Sequence, residues 1–186
     1  MKATLILYGS NSGNTKEIAK QIVKKLPTQE VTTIDVSKVT VEDIAQASNL
    51  ILGTSTLGLG ELQDDWDRFL PKFKKMDLSG KNIALFGLGD SESYCETFVD
   101  GIGIIYNAIK TQKCQFFGFT NSTEYTFSDS AAHINNQFVG LPIDEDNESE
   151  LTEARITKWI KELEPMFNWE GMWNPFANII KTSQYG

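Results

Sequence analysis

The sequence predicts an α/β protein with a doubly wound parallel sheet and helices on both faces. Short apolar runs without polar alternation recur along the chain, as is typical of parallel strands buried on both sides. The segments between them carry apolar residues at helical spacing, and such alternation favours parallel strands joined by right-handed crossovers. With 186 residues, of which 40% are hydrophobic, the chain is long enough for one domain with a complete core.

The first half of the chain supplies three of the predicted strands. Residues 3–8 form an apolar run that ends at a polar turn. After this turn, Ile18, Ile22 and their apolar neighbours recur at helical spacing until Pro27 ends the helix. The next elements, in order, are a strand, a short helix and a strand at residues 31–36, 41–47 and 49–53.

The second half continues the alternation and then breaks it. Trp66 and Phe73 share one face of a predicted helix at residues 64–75. The elements that follow are a strand, a helix and a strand at residues 82–87, 98–110 and 114–119. A polar stretch, 120–136, then interrupts the pattern before a last helix at 150–163, where we expect Leu151 on the core-facing side.

Charge and cysteine content exclude several classes of protein. The net charge of −8 argues against a nucleic-acid partner, whose phosphates need a basic surface. The acidic charge has two possible roles: it would steer the protein towards a basic partner, or it would only keep the protein soluble. Cys95 and Cys114 lack the spacing of a zinc or iron–sulfur site, so we expect no metal and two free thiols. The apolar N-terminal run is too short for a signal or a membrane span, which predicts a cytoplasmic protein without membrane contact.

The loop after the first strand is the strongest candidate for a binding site. In open sheets of this class, ligands bind outside the carboxyl ends of the strands. Here six small residues precede a helix, namely Ser10, Asn11, Ser12, Gly13, Asn14 and Thr15. Free backbone N–H groups and the helix dipole favour a phosphate at such a turn, and no lysine or arginine is present. The alternative is an ordinary N-cap, which also favours Ser, Asn and Thr.

Two further loops follow the third and fourth strands at the same edge. They cover residues 54–62 and 87–95. Neither completes a known nucleotide signature, because Leu59 stands where a P-loop requires lysine and the glycines after residue 86 break the dinucleotide pattern. Tyr94 lies in an otherwise small, polar loop, where an aromatic ring could stack on a planar ligand.

Four segments resemble the flavodoxin family, over about residues 1–167. They are the loop at 10–15, GELQDDW at 60–66, FGLGD with Tyr94 at 86–94, and FVGLPIDEDN at 138–147. The last segment, after the polar stretch, is similar to the long-chain type, in which an extra loop splits the fifth strand.

The resemblance implies the strand order 2-1-3-4-5 and non-covalently bound FMN. The implied function is a low-potential one-electron carrier, not an enzyme, with no catalytic residue. The implied partners are redox proteins, such as a flavodoxin or ferredoxin reductase or another oxidoreductase that donates or accepts electrons, and a monomer is expected.

The same resemblance assigns the cofactor contacts. The phosphate would lie at the first loop, the ribityl chain near Thr56, Asp90 and Asp146, and the flavin between the two later loops with Tyr94 stacked on one face. A peptide flip after Gly58 would stabilise the semiquinone, and acidic neighbours such as Glu61 and Asp144 would lower the hydroquinone potential. The implied cofactor-binding residues are Ser10, Asn11, Ser12, Gly13, Asn14, Thr15, Ser55, Thr56, Leu57, Gly58, Leu59, Gly60, Leu88, Gly89, Asp90, Tyr94, Thr97, Phe98, Val99 and Asp146.

Three departures from the family pattern carry their own expectations. Leu57 replaces the usual tryptophan, which predicts weaker FMN binding and a less negative hydroquinone potential. Ser55 replaces a usual proline and would loosen its loop. Residues 168–186 form an aromatic-rich extension, expected to pack on the domain or, alternatively, to contact a partner.

Two other functions remain as alternatives. An FMN-dependent NAD(P)H:quinone reductase shares this type of fold, but an acidic rim would repel the anionic nucleotide. A phospho-acceptor domain would need an aspartate at the end of the third strand, where Gly53, Thr54 and Ser55 stand instead.

Overall fold

A parallel sheet with five strand positions forms the centre of the protein in a computed structural model that describes residues 3–27 and 30–167. The strands are β1 (Thr4–Tyr8), β2 (Val31–Asp35), β3 (Asn49–Leu57), β4 (Glu61–Leu62), β5 (Asn82–Leu88), β6 (Gln115–Phe117), β7 (Thr120–Asn121), β8 (His133–Ile134), β9 (Gln137–Phe138) and β10 (Leu141–Ile143). The order is β2-β1-β3-β5, and the fifth position is shared by β6 and β10. The predicted order 2-1-3-4-5 is confirmed.

The fifth strand is split as the sequence suggested. β6 pairs with the first half of β5, where Gln115 lies opposite Asn82, and β10 pairs with the second half, where Ile143 lies opposite Leu88. Residues 118–140, which we call the insertion, connect the two halves. They contain a small antiparallel sheet of β7, β9 and β8.

Helices cover both faces of the sheet. They are α1 (Asn14–Lys25), α2 (Val41–Gln46), α3 (Asp64–Phe73), α4 (Asp100–Ile109) and α5 (Thr152–Phe167). α1 and α5 bury Ile22 and Trp159 against one face, and α2, α3 and α4 bury Ile44, Trp66 and Ile105 against the other. Because these side chains are at most 2% exposed, each face has its own hydrophobic layer.

The structure corrects the predicted bounds at two places. β3 continues four residues past its predicted end at residue 53, because Thr54 and Ser55 still pair with β5, and Thr56 and Leu57 pair antiparallel with β4. Leu151 does not face the core, and that prediction is wrong. It lies in a 3₁₀ turn at Ser149–Leu151 and is 40% exposed, because three residues per turn direct its side chain away from the face that α5 buries.

The insertion packs on the segment just before α4 through an aromatic cluster. Phe98, which is fully buried, lies edge-on to Phe138 at 5.9 Å between ring centroids, and Phe127 and Tyr125 surround the pair. His133 belongs to this cluster, 5.2 Å from the ring of Phe127. The insertion is therefore anchored to the end of the loop at residues 89–99.

Two features are absent from the described part of the chain. Within it, no helix combines the length and apolarity needed to cross a membrane. The same residues contain no cluster of three or more His, Cys, Asp or Glu side chains that could hold a metal ion. Cys95 and Cys114 are both free thiols. The predicted extension at 168–186 lies outside the described residues.

Candidate functional site

A cleft with an empty volume of about 780 Å³, open mouth included, lies at the carboxyl ends of β1, β3, β5 and β10. Four segments form it: the β1–α1 loop (10–13), the β3–β4 turn (57–60), the β5–α4 loop (89–99) and the β10–α5 loop (144–148). The residues that line it are Asn11, Ser12, Asn14, Thr15, Ser55, Thr56, Leu57, Leu88, Gly89, Asp90, Tyr94, Glu145 and Asp146.

The sequence predicted every one of these lining residues except Glu145. Glu145 adjoins Asp146 in the FVGLPIDEDN segment. The segment was recognised as a family motif, but Glu145 was not predicted to be a site residue. Its carboxylate accepts a hydrogen bond from the hydroxyl of Thr152, the first residue of α5. This contact ties the β10–α5 loop to the helix that follows.

The other predicted site residues lie around the cleft without lining it. Ser10 and Gly13 shape the first loop, and Thr97 lies beneath the β3–β4 turn. Phe98 and Val99 are fully buried in the core below the β5–α4 loop, so their side chains do not reach the cleft. The turn residues Gly58, Leu59 and Gly60 form its rim.

The β1–α1 loop presents an open helix N-terminus to the cleft. The N-cap is Gly13 and not one of the neighbouring Ser, Asn or Thr residues. Because Gly13 has no side chain, no side-chain hydrogen bond caps the helix. The Gly13 N–H donates to Ser10 Oγ at 3.0 Å, which closes the loop. The first helical N–H groups and the hydroxyls of Ser12 and Thr15 are therefore available as neutral donors to an anion.

A buried glutamine holds this loop in place. Gln63, fully buried, donates from Nε2 to Asn11 Oδ1 at 2.7 Å, and its Oε1 accepts from the Trp66 N–H at the start of α3. Asn11 also donates to Asp64 Oδ2 at 3.0 Å. The GELQDDW segment thus positions the first loop, which explains why the two motifs occur together.

Ser55 provides an unsatisfied polar group at the cleft. Its Oγ is buried and has no hydrogen-bond partner among the described residues. The neighbouring Thr56 Oγ1, in contrast, accepts from the Gly101 N–H at 3.0 Å. A buried hydroxyl without a partner costs free energy, so a ligand with a polar group at this position would be stabilised.

The β3–β4 turn depends on two glycines. Gly58 and Gly60 have φ of 49° and 114°, and the Gly60 N–H donates to the Leu57 oxygen at 3.0 Å. Positive φ is disfavoured for residues with a Cβ, so this turn conformation favours glycine at both positions. Leu57 faces the cleft, whereas Leu59 is 80% exposed at the tip.

A buried carboxylate joins two of the cleft loops. Asp144 is 0% exposed, and its Oδ2 accepts from the Ser91 N–H at 2.9 Å. It also accepts from the backbone N–H groups of Asp146 and Asn147 and from the Asn147 side-chain amide. Burial alone would raise the pKa of Asp144, but the bonds from Ser91 and Asn147 outweigh it and lower this pKa.

Asp90 extends the same network to the cleft surface. Its Oδ1 accepts from the Ser93 N–H at 2.8 Å, the Glu92 N–H at 3.1 Å and the Asn147 amide at 2.9 Å. The bond from Ser93 is the main cause of the lowered pKa of Asp90. The β5–α4 and β10–α5 loops are therefore held together by two ionised carboxylates and one amide.

The walls and charge of the cleft suit a planar, polar ligand. Tyr94 lies on one wall and is 47% exposed, and Leu57 supplies an apolar surface. Asp90, Glu145 and Asp146 are acidic, and the described residues that line the cleft include neither lysine nor arginine. An anionic group would therefore be held at the helix N-terminus by neutral donors alone.

Known proteins match both the sequence and the fold. The family model for flavodoxins matches residues 6–159. A flavodoxin of Buchnera aphidicola is 43% identical over 169 residues, which are 90% of this chain and 99% of the relative. A flavodoxin of Synechocystis is 40% identical over 87% of this chain and 95% of its own length.

Solved structures agree with this assignment. The crystal structure of Fusobacterium nucleatum flavodoxin bound to flavin mononucleotide superposes with a TM-score of 0.85 at 32% identity. The match covers 90% of this chain and 99% of that protein. Sequence, strand order and cleft position all agree, and the chain belongs to the flavodoxin family.

Proposed function

We propose that the cleft binds one FMN non-covalently and that the protein is a low-potential one-electron carrier between larger redox proteins. The observation that carries the proposal is the open N-terminus of α1, which offers neutral donors beside a cleft lined by Tyr94 and Leu57. When bound, the flavin supplies reversible one-electron chemistry. The protein binds the cofactor, orients it and sets its electrostatic surroundings.

The residues of the cleft fit the parts of FMN. Ser12, Asn14 and Thr15, with the first N–H groups of α1, would hold the phosphate. The unpartnered Ser55 hydroxyl would bond to a polar atom of the cofactor. Tyr94 would stack on the flavin ring, with Leu57 on the opposite wall.

The carboxylates around the cleft favour a low potential and a basic partner. Asp90, Glu145 and Asp146 disfavour additional negative charge nearby, which lowers the potential of any reduction that creates such charge. The same surface attracts a positively charged protein and speeds docking at low salt. A reductase or other oxidoreductase with a basic docking face is the partner we propose.

The finer assignments follow from the same structure. The split fifth strand, with the insertion between β6 and β10, favours the long-chain type. The free thiols of Cys95 and Cys114 fit a reducing cytoplasm, and we propose a monomer. A quinone reductase is disfavoured because the lining carboxylates would repel NAD(P)H.

The test is to titrate the apoprotein with FMN and, in parallel, with riboflavin. We expect one FMN per chain and binding at least about tenfold weaker for riboflavin, which lacks the phosphate. Equal affinities would refute the phosphate site. A visible-absorbance redox titration of the FMN complex should then resolve two separate one-electron potentials, whereas a single two-electron step with steady NAD(P)H oxidation would favour the reductase.

A further inference from the structure

The insertion is bonded directly to the β5–α4 loop of the proposed site and approaches the β3–β4 turn through Asp100. The backbone N–H groups of Ser128 and Asp129 donate to the Cys95 oxygen at 2.8 and 3.1 Å, in the β5–α4 loop beside Tyr94. The Ser130 hydroxyl donates to the Phe98 oxygen at 2.5 Å. The segment 128–132 is therefore bound to the loop that carries Tyr94.

A single carboxylate connects this segment to the opposite loop. Asp100, the first residue of α4, accepts from the Ala131 N–H through Oδ1 at 2.7 Å. Its Oδ2 packs against Gly60 so closely that a methyl group on Gly60 would lie 2.8 Å away. Gly60 in turn closes the β3–β4 turn by its bond to Leu57. Asp100 thus lies between the insertion and a turn that lines the cleft.

The packing around Asp100 leaves little room for independent movement. The Gly101 N–H donates to Thr56 Oγ1 at 3.0 Å, and a methyl group on Gly103 would overlap the backbone of Ala131. Burial raises the pKa of Asp100, and the bonds from Ala131 and Ser130 oppose the rise. Because this carboxylate is half-buried, its position depends on the hydrogen bonds that it accepts.

We propose that Asp100 is a positioning residue that fixes the β3–β4 turn against the insertion and thereby sets the position of Leu57 in the cleft. The proposal rests on the proposed FMN-binding function. It assigns to the insertion a role inside the domain: through Ala131 and Asp100 it supports the cofactor site.

The experiment compares three variants of the full chain. Asp100→Ala removes the acceptor for the Ala131 N–H. Asp100→Asn keeps an acceptor oxygen and removes the charge. Glu96→Gln is the matched control, because it removes one charge from an exposed residue of the adjoining β5–α4 loop for which no side-chain hydrogen bond is seen among the described residues.

Amide hydrogen exchange of the apoprotein and FMN affinity are the two readouts. We expect Asp100→Ala to speed exchange at both Ala131 and Gly60 by about tenfold or more. It should also weaken FMN binding by about fivefold or more, because the turn loses its support. Asp100→Asn should restore slow exchange at Gly60, and Glu96→Gln should change neither amide.

Faster exchange at Ala131 alone, with Gly60 and the FMN affinity unchanged, would overturn the proposal. If Asp100→Ala does not fold, Asp100→Ser replaces it, and the same outcomes apply. Failure of the wild-type chain to bind FMN would refute the proposed function instead, while the exchange data on the apoprotein would still decide whether Asp100 couples the insertion to the turn.

Discussion

Replacing Asp144 by asparagine should destabilise the domain although the two side chains have nearly the same shape. The NH₂ group of the asparagine side chain can only donate, and it would face either the Ser91 N–H or the N–H groups of Asp146 and Asn147. Placed towards Ser91, which is 8% exposed, it leaves a buried donor without an acceptor.

The magnitude follows from the bonds that are lost. An unsatisfied buried donor costs about 1–3 kcal/mol, and the remaining bonds weaken because their acceptor is no longer charged, so we expect a loss of about 2–4 kcal/mol. For a chain of this size, the melting temperature should fall by roughly 5–12 °C. The assay is thermal unfolding of the apoprotein at pH 7, followed by circular dichroism.

The matched control is Asp146→Asn. Asp146 is exposed and only two residues away, and its backbone N–H, not its carboxylate, bonds to Asp144. We expect a change within about 0.5 kcal/mol. Equal melting temperatures for Asp144→Asn and the wild type would show that the network does not hold the two loops together.

The effect of Asp144→Asn should also depend on pH in one direction. The folded pKa of Asp144 is lower than its ordinary value of 3.8, so the unfolded chain binds the proton more readily. The stability that Asp144 contributes is complete above pH 3.8 and is lost as the pH falls through the folded pKa. A difference between variant and wild type that grows on acidification would contradict this reasoning.

Three further predictions concern the turn and the extension. Leu57→Trp should tighten FMN binding by about 0.5–1.5 kcal/mol and make the potential of the second electron more negative, as measured by fluorescence and redox titrations. The control Leu59→Trp, at an 80% exposed tip, should change neither the affinity nor the potential. Gly60→Ala should lower the free energy of unfolding by about 2 kcal/mol or more in denaturant titrations, because φ is 114° and the added methyl has no room; Gly80→Ala, with φ of 73° and open space, should cost about 1 kcal/mol. Deletion of residues 168–186 should lower the melting temperature by several degrees, since each kcal/mol of lost packing is worth about 2–4 °C; an unchanged value would exclude packing on the domain.

The layers of the fold could be predicted because burial leaves a direct trace in the sequence. Strands such as β1 and β5 are fully buried, and uninterrupted apolar runs mark them. The end of β3 has no such trace. Thr54, Ser55 and Thr56 are polar, and they belong to a strand because Thr54 and Ser55 pair with β5 and Thr56 pairs with β4, which turns back along it. Pairing between neighbouring segments is a tertiary property that composition does not encode.

The location of the site could be predicted from the sequence, but the role of each residue in it could not. Loops at the carboxyl ends of parallel strands converge, so their small and polar residues were expected together. The sequence did not separate residues that face the cleft from those that support it. Phe98 and Val99 lie in the same loop as Tyr94, yet both are fully buried, whereas Tyr94 is half exposed.

The acidic residues show why a charge count is insufficient for this site. In the sequence, Asp144 is one of several carboxylates expected to disfavour negative charge at the cofactor, and Asp100 has no assigned role. In the structure each connects two segments: Asp144 joins the β5–α4 and β10–α5 loops, and Asp100 joins α4 to the insertion. Burial acts on both, but only Asp144 has enough donors to lower its pKa, whereas the pKa of Asp100 is raised. Relative to the neutral form, the ionised form of Asp144 therefore stabilises the folded domain and the ionised form of Asp100 destabilises it, so acidification acts on these two carboxylates in opposite directions.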